Sequence, residues 1–140
     1  MKIIVDTNVI LDFLLSREPH AADARDLFKM ISQEKVEAFI TASSITDIYY
    51  IIAKRLGDAT ARESIRHLLN ILGIIAVDGN DCSDALDLPI ADFEDALVTA
   101  CANREDVNYI VSNDKEFLKV DAGLIAVAST RSFLELNKGN

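Results

Sequence analysis

Four aspartates in this 140-residue chain stand where side-chain chemistry could be done: Asp6, Asp47, Asp95 and Asp114. Asp6 ends the apolar run Ile3-Ile4-Val5, and Asp114 closely follows Tyr109-Ile110-Val111. Short apolar runs without polar alternation read as strands buried on both faces of a parallel sheet. Parallel strands put both acids on the carboxyl edge, where open α/β sheets bind ligands. Asp47 and Asp95 are each expected in the first turn of a helix whose N-terminus faces the same edge. Four carboxylates in one cleft repel each other. Hard cations, Mg²⁺ or Mn²⁺, take oxygen ligands and relieve that repulsion. Two such ions roughly 3.5–4 Å apart can activate water and steady the leaving oxygen of a phosphodiester.

Each acid also has a plainer reading. Asp6 stands beside a helix start, although Thr7 or Asn8 would cap it more naturally. Asp47 completes Ser44-Ile45-Thr46-Asp47, an approximate capping box. Asp92 is the natural N-cap of Asp92-Phe93-Glu94-Asp95 and is read as mainly structural, with a secondary metal role open; Asp95 sits where that box's returning acid would be. Asp114 could be a turn residue after Asn113. Asn8, Ser112 and Thr46 could orient ligands or waters from behind, or serve as caps and turns. Other chemistries lack their parts. Two histidines and two separated cysteines do not make a zinc spacing. No phosphate-binding or dinucleotide-binding glycine motif is present, and no serine stands in a sharp elbow.

The elements that must position these acids alternate along the chain. After the first strand we expect a helix over 8–15, a break at Arg17-Glu18-Pro19, and a helix with Ala22, Leu27, Phe28 and Ile31 on its apolar side. A strand over 36–41 leads to a helix opened by Ser43-Ser44, with an apolar stripe of Ile45, Ile48, Tyr49, Ile52 and Leu56. Tyr50 and Ile51 fall off that stripe, which suggests association through this helix. Gly57 closes it. A helix over 59–72 carries Ile65, Leu68, Leu69 and Leu72, then a strand over 74–77 and a short helix over 81–88. The helix over 92–103 is given a face of Phe93, Ala96, Leu97, Ala100 and Cys101. A strand over 109–111, a turn at Lys115, Glu116 and Phe117, a weak strand over 124–127 and a helix capped by Ser129 or Thr130 complete the chain. Strands alternating with helices imply right-handed crossovers. The expected fold is a three-layer α/β/α sandwich with a mostly parallel central sheet, one domain over 1–140.

The totals agree with a folded domain: half the residues are hydrophobic and only two are proline. No apolar run reaches the ~20 residues of a membrane span. One Lys ahead of a three-residue apolar run is too little for an export signal. A cytoplasmic, soluble protein with Cys82 and Cys101 reduced is therefore expected. The net charge of −9 argues against non-specific nucleic-acid binding. Its distribution is uneven: no Lys or Arg lies between Arg66 and Arg104, whereas Lys54, Arg55, Arg62 and Arg66 form a basic segment that could guide a polyanion.

Ile3-Ile4-Val5-Asp6-Thr7-Asn8-Val9-Ile10-Leu11-Asp12 resembles the opening motif of PIN-domain proteins. Ser44-Ile45-Thr46-Asp47-Ile48 resembles their second motif, Phe93-Glu94-Asp95-Ala96-Leu97-Val98-Thr99-Ala100-Cys101-Ala102 their third, and Ile110-Val111-Ser112-Asn113-Asp114-Lys115-Glu116-Phe117 their fourth. The resemblance covers nearly the whole chain. It implies a PIN-like fold and a Mg²⁺- or Mn²⁺-dependent endoribonuclease, often the VapC-like toxin of a toxin–antitoxin pair. It also implies a homodimer held inactive by a small antitoxin protein. Asp6, Asp47, Asp95 and Asp114 would be the metal-binding acids, supported by Asn8 and Ser112. The second acid of this family is usually Glu, and Asp47 is one methylene shorter, which would permit contact through water. Two other classes stand beside this reading. A catalytically inert PIN-fold binding module would fit the charge and the Asp47 departure. A phosphoacceptor domain would also place acids on this edge, but it normally has an adjacent acidic pair after the first strand, where this chain has Thr7-Asn8.

Overall fold

The computed structural model describes residues 1–120 and 125–138. β1 (Lys2–Val5) lies at the middle of a five-stranded sheet of order β3-β2-β1-β4-β5, with β2 at Glu37–Thr41, β3 at Gly73–Ile75, β4 at Tyr109–Val111 and β5 at Ala126–Ala128. Every pairing is parallel, and β1 aligns Ile4 with Phe39 on one side and Ile110 on the other. The pleat sends successive side chains to opposite faces. Ile3 and Val5 join one core cluster while Ile4 joins the other, and Val111 and Ile110 divide the same way. That is why Ile3-Ile4-Val5 has no polar position: this part of β1 has no solvent face.

Helices cover both sides. On one lie α1 (Thr7–Leu14), α2 (Ala21–Ser32), α3 (Ala42–Leu56), α4 (Asp58–Ile71) and α8 (Thr130–Leu136), through Val9, Ile10, Leu27, Phe28, Ile48, Ile52, Leu68 and Phe133. On the other lie α6 (Phe93–Arg104) and α7 (Lys115–Leu118), through Val98, Cys101, Ala102 and Phe117. The short α5 (Gly79–Asp87) packs Ala85 against Ala96 and Ala100 of α6. The expected three-layer α/β/α arrangement is present, and its sheet is parallel throughout.

Several local expectations are corrected. The inward alanines of α2 are Ala21 and Ala24, and Ala22 is exposed. α3 starts at Ala42 with Thr41 as its N-cap position, so Ser43-Ser44 lies inside the helix. Leu56 is 55% exposed and Phe93 is 48% exposed, so neither belongs to a buried stripe; Leu69 is exposed as well. α6 is buried on nearly every side along its middle, and an assignment to one face fails there. Residues 115–118 form a helical turn rather than an open one. β3 stops at Ile75, and Asp78 caps α5 in a reciprocal box with Asp81. Of the strand expected over 124–127, position 124 lies outside the described residues, and β5 extends to Ala128. Gly57 ends α3 at φ 92°, ψ 165°, a conformation open essentially to glycine alone.

Candidate active site

The backbone of Asp6 is fixed by its neighbour strand: its N–H donates to the Val111 carbonyl at 3.0 Å. The residue is itself the N-cap of α1, its Oδ1 accepting from the Thr7 N–H at 2.9 Å. This corrects the assignment of the cap to Thr7 or Asn8. The other carboxylate oxygen, Oδ2, accepts from Ser112 Oγ at 2.8 Å and from Asn8 Nδ2 at 3.0 Å. Ser112 Oγ in turn accepts from the Asp114 N–H at 3.1 Å, and Asn8 Oδ1 accepts from the Asn113 N–H at 2.9 Å. Asn8 and Ser112 thus lash the end of β1 to the loop after β4. Asp114 caps α7, accepting from the Glu116 and Phe117 N–H groups. Both acids serve as caps and still face the cleft, so capping and the functional reading coexist.

Asp95 sits in the first turn of α6, as expected. Asp92 is the N-cap there, with Oδ1 accepting from the Asp95 N–H at 3.1 Å. The reciprocal half of that box is absent: among the described residues nothing donates to the Asp95 carboxylate. The plain reading of Asp95 as a returning acid is therefore corrected. Asp47 departs from expectation differently. With α3 starting at Ala42, it lies beyond the first turn, and no box involving Ser44 forms. The Ser43 and Ser44 hydroxyls instead bond to Thr41 Oγ1, each at 3.1 Å. Thr46 is exposed and has no part in the site.

Asp6, Asp47, Asp95 and Asp114 line one cavity of about 270 Å³, together with Asn8, Ser43, Ser44 and Asp92. Ser112 supports it from behind. Two charged lining residues escaped the sequence reading, Glu94 and Arg17. Glu94 neighbours Asp95 at a helix start and could have been suspected from that position; Arg17 in its loop gave no signal. The basic segment at Lys54, Arg55, Arg62 and Arg66 lines no part of this cavity. It belongs to the far end of α3 and to α4, where Arg62 pairs with Asp58 and Arg66 with Glu63.

The cavity is electrostatically strained. Burial, then the charges of Asp92, Asp6, Asp114 and Glu94, push the Asp95 carboxyl up to about 7. Burial also raises Asp6, with Asp114 adding to the effect, while hydrogen bonds from Ser112, Thr7 and Asn8 oppose it. Glu94 is raised by burial and by the charges of Asp47 and Asp92. Among the described residues no three His, Cys, Asp or Glu side chains stand close enough to hold a metal ion as they are; the acids are spread around the cavity walls. The donor set still fits a hard divalent cation, because it is made of carboxylate oxygens, and burial with mutual repulsion leaves Asp6, Glu94 and Asp95 wanting a positive partner. The volume accommodates an ion with several of its waters.

The family model of the PIN domain matches residues 2–116. Ribonuclease VapC1 of Aquifex aeolicus (strain VF5) is 30% identical over 139 residues, spanning 96% of this chain and 94% of that one. Among solved structures, VapBC2 from Rickettsia felis, bound to a DNA fragment from their promoter, superposes with a TM-score of 0.69 at 15% identity, covering 92% of this chain and 98% of that one. Mycobacterium tuberculosis VapC20, a Sarcin-Ricin loop cleaving toxin, gives a TM-score of 0.66 at 14% identity over 82% of this chain and 92% of that one. At these identities the structural matches speak to the fold alone.

Proposed function

We propose that this chain, which belongs to the PIN-domain family, is an endoribonuclease dependent on Mg²⁺ or Mn²⁺ and the toxin of a toxin–antitoxin pair. The observation that carries the reading is the meeting of Asp6, Asp95 and Asp114 in one cavity, with the Asp95 carboxyl raised to about 7. A carboxyl perturbed by burial and neighbouring charge in a cleft marks a functional site, and a bound cation would relieve its strain at neutral pH. The full-length relative named a ribonuclease and the Sarcin-Ricin loop cleaving toxin favour RNA as substrate. A toxin-antitoxin complex from Klebsiella pneumoniae, which shares the fold at a TM-score of 0.68 and 15% identity, favours a small antitoxin partner.

Asp6, Asp95 and Asp114 would hold the cation, with Asp47 reaching it directly or through water. Such a cation supplies Lewis acidity: it offsets charge building on a phosphodiester under attack and makes water a stronger acid. The chain's own residues do the positioning. Ser112 and Asn8 fix one oxygen of Asp6, leaving its carboxylate a single orientation. Asp92 holds the start of α6 and with it the register of Asp95. The N-termini of α1 and α6 add partial positive charge at the acid edge.

We read residues 1–140 as one domain. No helix of the described residues is long and apolar enough to cross a membrane, consistent with a soluble cytoplasmic protein. Tyr50, 68% exposed, and the exposed Ile51 on α3 suit association as a homodimer. The test is cleavage of varied RNAs by purified, partner-free protein in Mg²⁺ or Mn²⁺, lost in EDTA. No cleavage in either metal would favour the inert binding module.

A further inference from the structure

We infer that Arg17 is a phosphate-anchoring residue of this site, holding a backbone phosphate of the RNA strand beside the acids. The inference rests on the ribonuclease reading and gives it the cation that its substrate needs. Among the described residues that line the acid cavity, Arg17 is the one Lys or Arg. In a chain of net charge −9, a polyanion entering an acidic cleft requires a fixed positive group.

Arg17 is built as such a group. Its Nε donates to Asp12 Oδ1 at 3.0 Å, and its Nη2 donates to the Asn8 carbonyl at 3.0 Å. Asp12 is only 4% exposed, and its second oxygen accepts from Asn113 Nδ2 at 3.3 Å. The anchor is therefore itself immobile. Asn8 serves both sides, taking Arg17 on its carbonyl and holding the Asp6 carboxylate with its amide. The guanidinium and Asp6 are thus placed relative to each other through a single residue. Nη1 has no protein partner among the described residues, and the side chain is 36% exposed. None of the candidate metal-binding acids pairs with it. A guanidinium held on two edges loses little entropy on binding, and its planar fork matches phosphate oxygens. Arg17 therefore lines the acid cavity with donor capacity beyond its bonds to Asp12 and Asn8.

Removing Arg17 alone would strand the buried Asp12 charge, so the test balances it. Asp12→Asn is compared with Asp12→Asn/Arg17→Gln, both in an Asp6→Asn background that binds RNA without cutting it. Equal unfolding midpoints of the two proteins verify that the fold is kept. Binding of a fluorescein-labelled single-stranded RNA of mixed sequence is followed by anisotropy in Mg²⁺ over a salt series. We expect Asp12→Asn to bind as its parent does. The double substitution should bind about tenfold more weakly, with a salt slope smaller by about 0.7, the value for one lost phosphate contact on a single strand. In the same pair of proteins carrying native Asp6, the double substitution should raise KM for RNA cleavage while kcat changes little. Equal affinity and slope for the two proteins would overturn the inference and leave Arg17 a strut for Asp12. Absence of RNA binding by every protein, the parent included, would overturn the ribonuclease reading and this inference with it.

Discussion

Replacing Asp95 by asparagine should stabilise the metal-free protein, and the gain should grow with pH. The native carboxyl is raised from 3.8 to about 7. Between these values the folded protein holds a proton that the unfolded chain has released, so native stability falls as pH rises through the window. The contribution is complete below about pH 4 and lost above about pH 7. At roughly 1.4 kcal/mol per pH unit the rise sets a ceiling of about 4 kcal/mol. Water in the open cavity screens part of this, and losing a negative charge in the first turn of α6 removes about 0.3–1 kcal/mol of helix-dipole stabilisation. Asparagine forfeits no side-chain hydrogen bond, since the Asp95 carboxylate accepts none among the described residues. The net gain should be about 2 kcal/mol at pH 8 and under about 1 kcal/mol at pH 5.5. Urea unfolding in EDTA reads this as a shift of about 1 M in midpoint at pH 8. An advantage that is absent, or equal at the two pH values, would refute the claim that charge repulsion strains this cavity.

Asp6→Asn should reduce RNA cleavage by at least about 100-fold while circular dichroism stays unchanged, because it removes a cavity charge but leaves the β1 backbone tied to β4. Asp81 is 1% exposed and receives Arg104 through Nε at 2.9 Å and Nη2 at 3.0 Å, an ion pair that holds its carboxyl below the usual range. Asp81→Asn should cost about 2–4 kcal/mol in urea unfolding at pH 7, the lower part of the range reflecting the half-exposed arginine. That loss should shrink as pH drops below about 4, since a depressed carboxyl stabilises only above its unfolded value. Gly57→Ala should cost about 1–3 kcal/mol in the same assay, from backbone strain at a conformation reserved for glycine.

The strands were legible because burial on both faces leaves a mark in the chain. Ile3-Ile4-Val5 and Tyr109-Ile110-Val111 have no polar alternation, and their ends placed Asp6 and Asp114 on one edge. Helix starts were legible where a side chain caps them, as at Asp92 and Ser129. The start of α3 was hidden because Thr41 makes no capping bond with its side chain, and the serines inside the first turn look like caps. That shift moved Asp47 beyond the first turn without removing it from the cavity. α6 has small apolar residues on all sides, so no face stood out, and exposed Phe93 was grouped with buried alanines. Arg17 could not be found from spacing, since a lone arginine after a helix looks like any solvated cation. Its role depends on a buried Asp12 and on a carbonyl that only the folded chain supplies.

We read the clustered acids as a cation site centred on Asp6. Calorimetric titration of Mn²⁺ into the metal-free protein at pH 8, with Asp6→Asn alongside, measures this directly. Saturable binding that is lost or at least about tenfold weaker in Asp6→Asn is the predicted result. No binding, or identical binding by the two proteins, would contradict it.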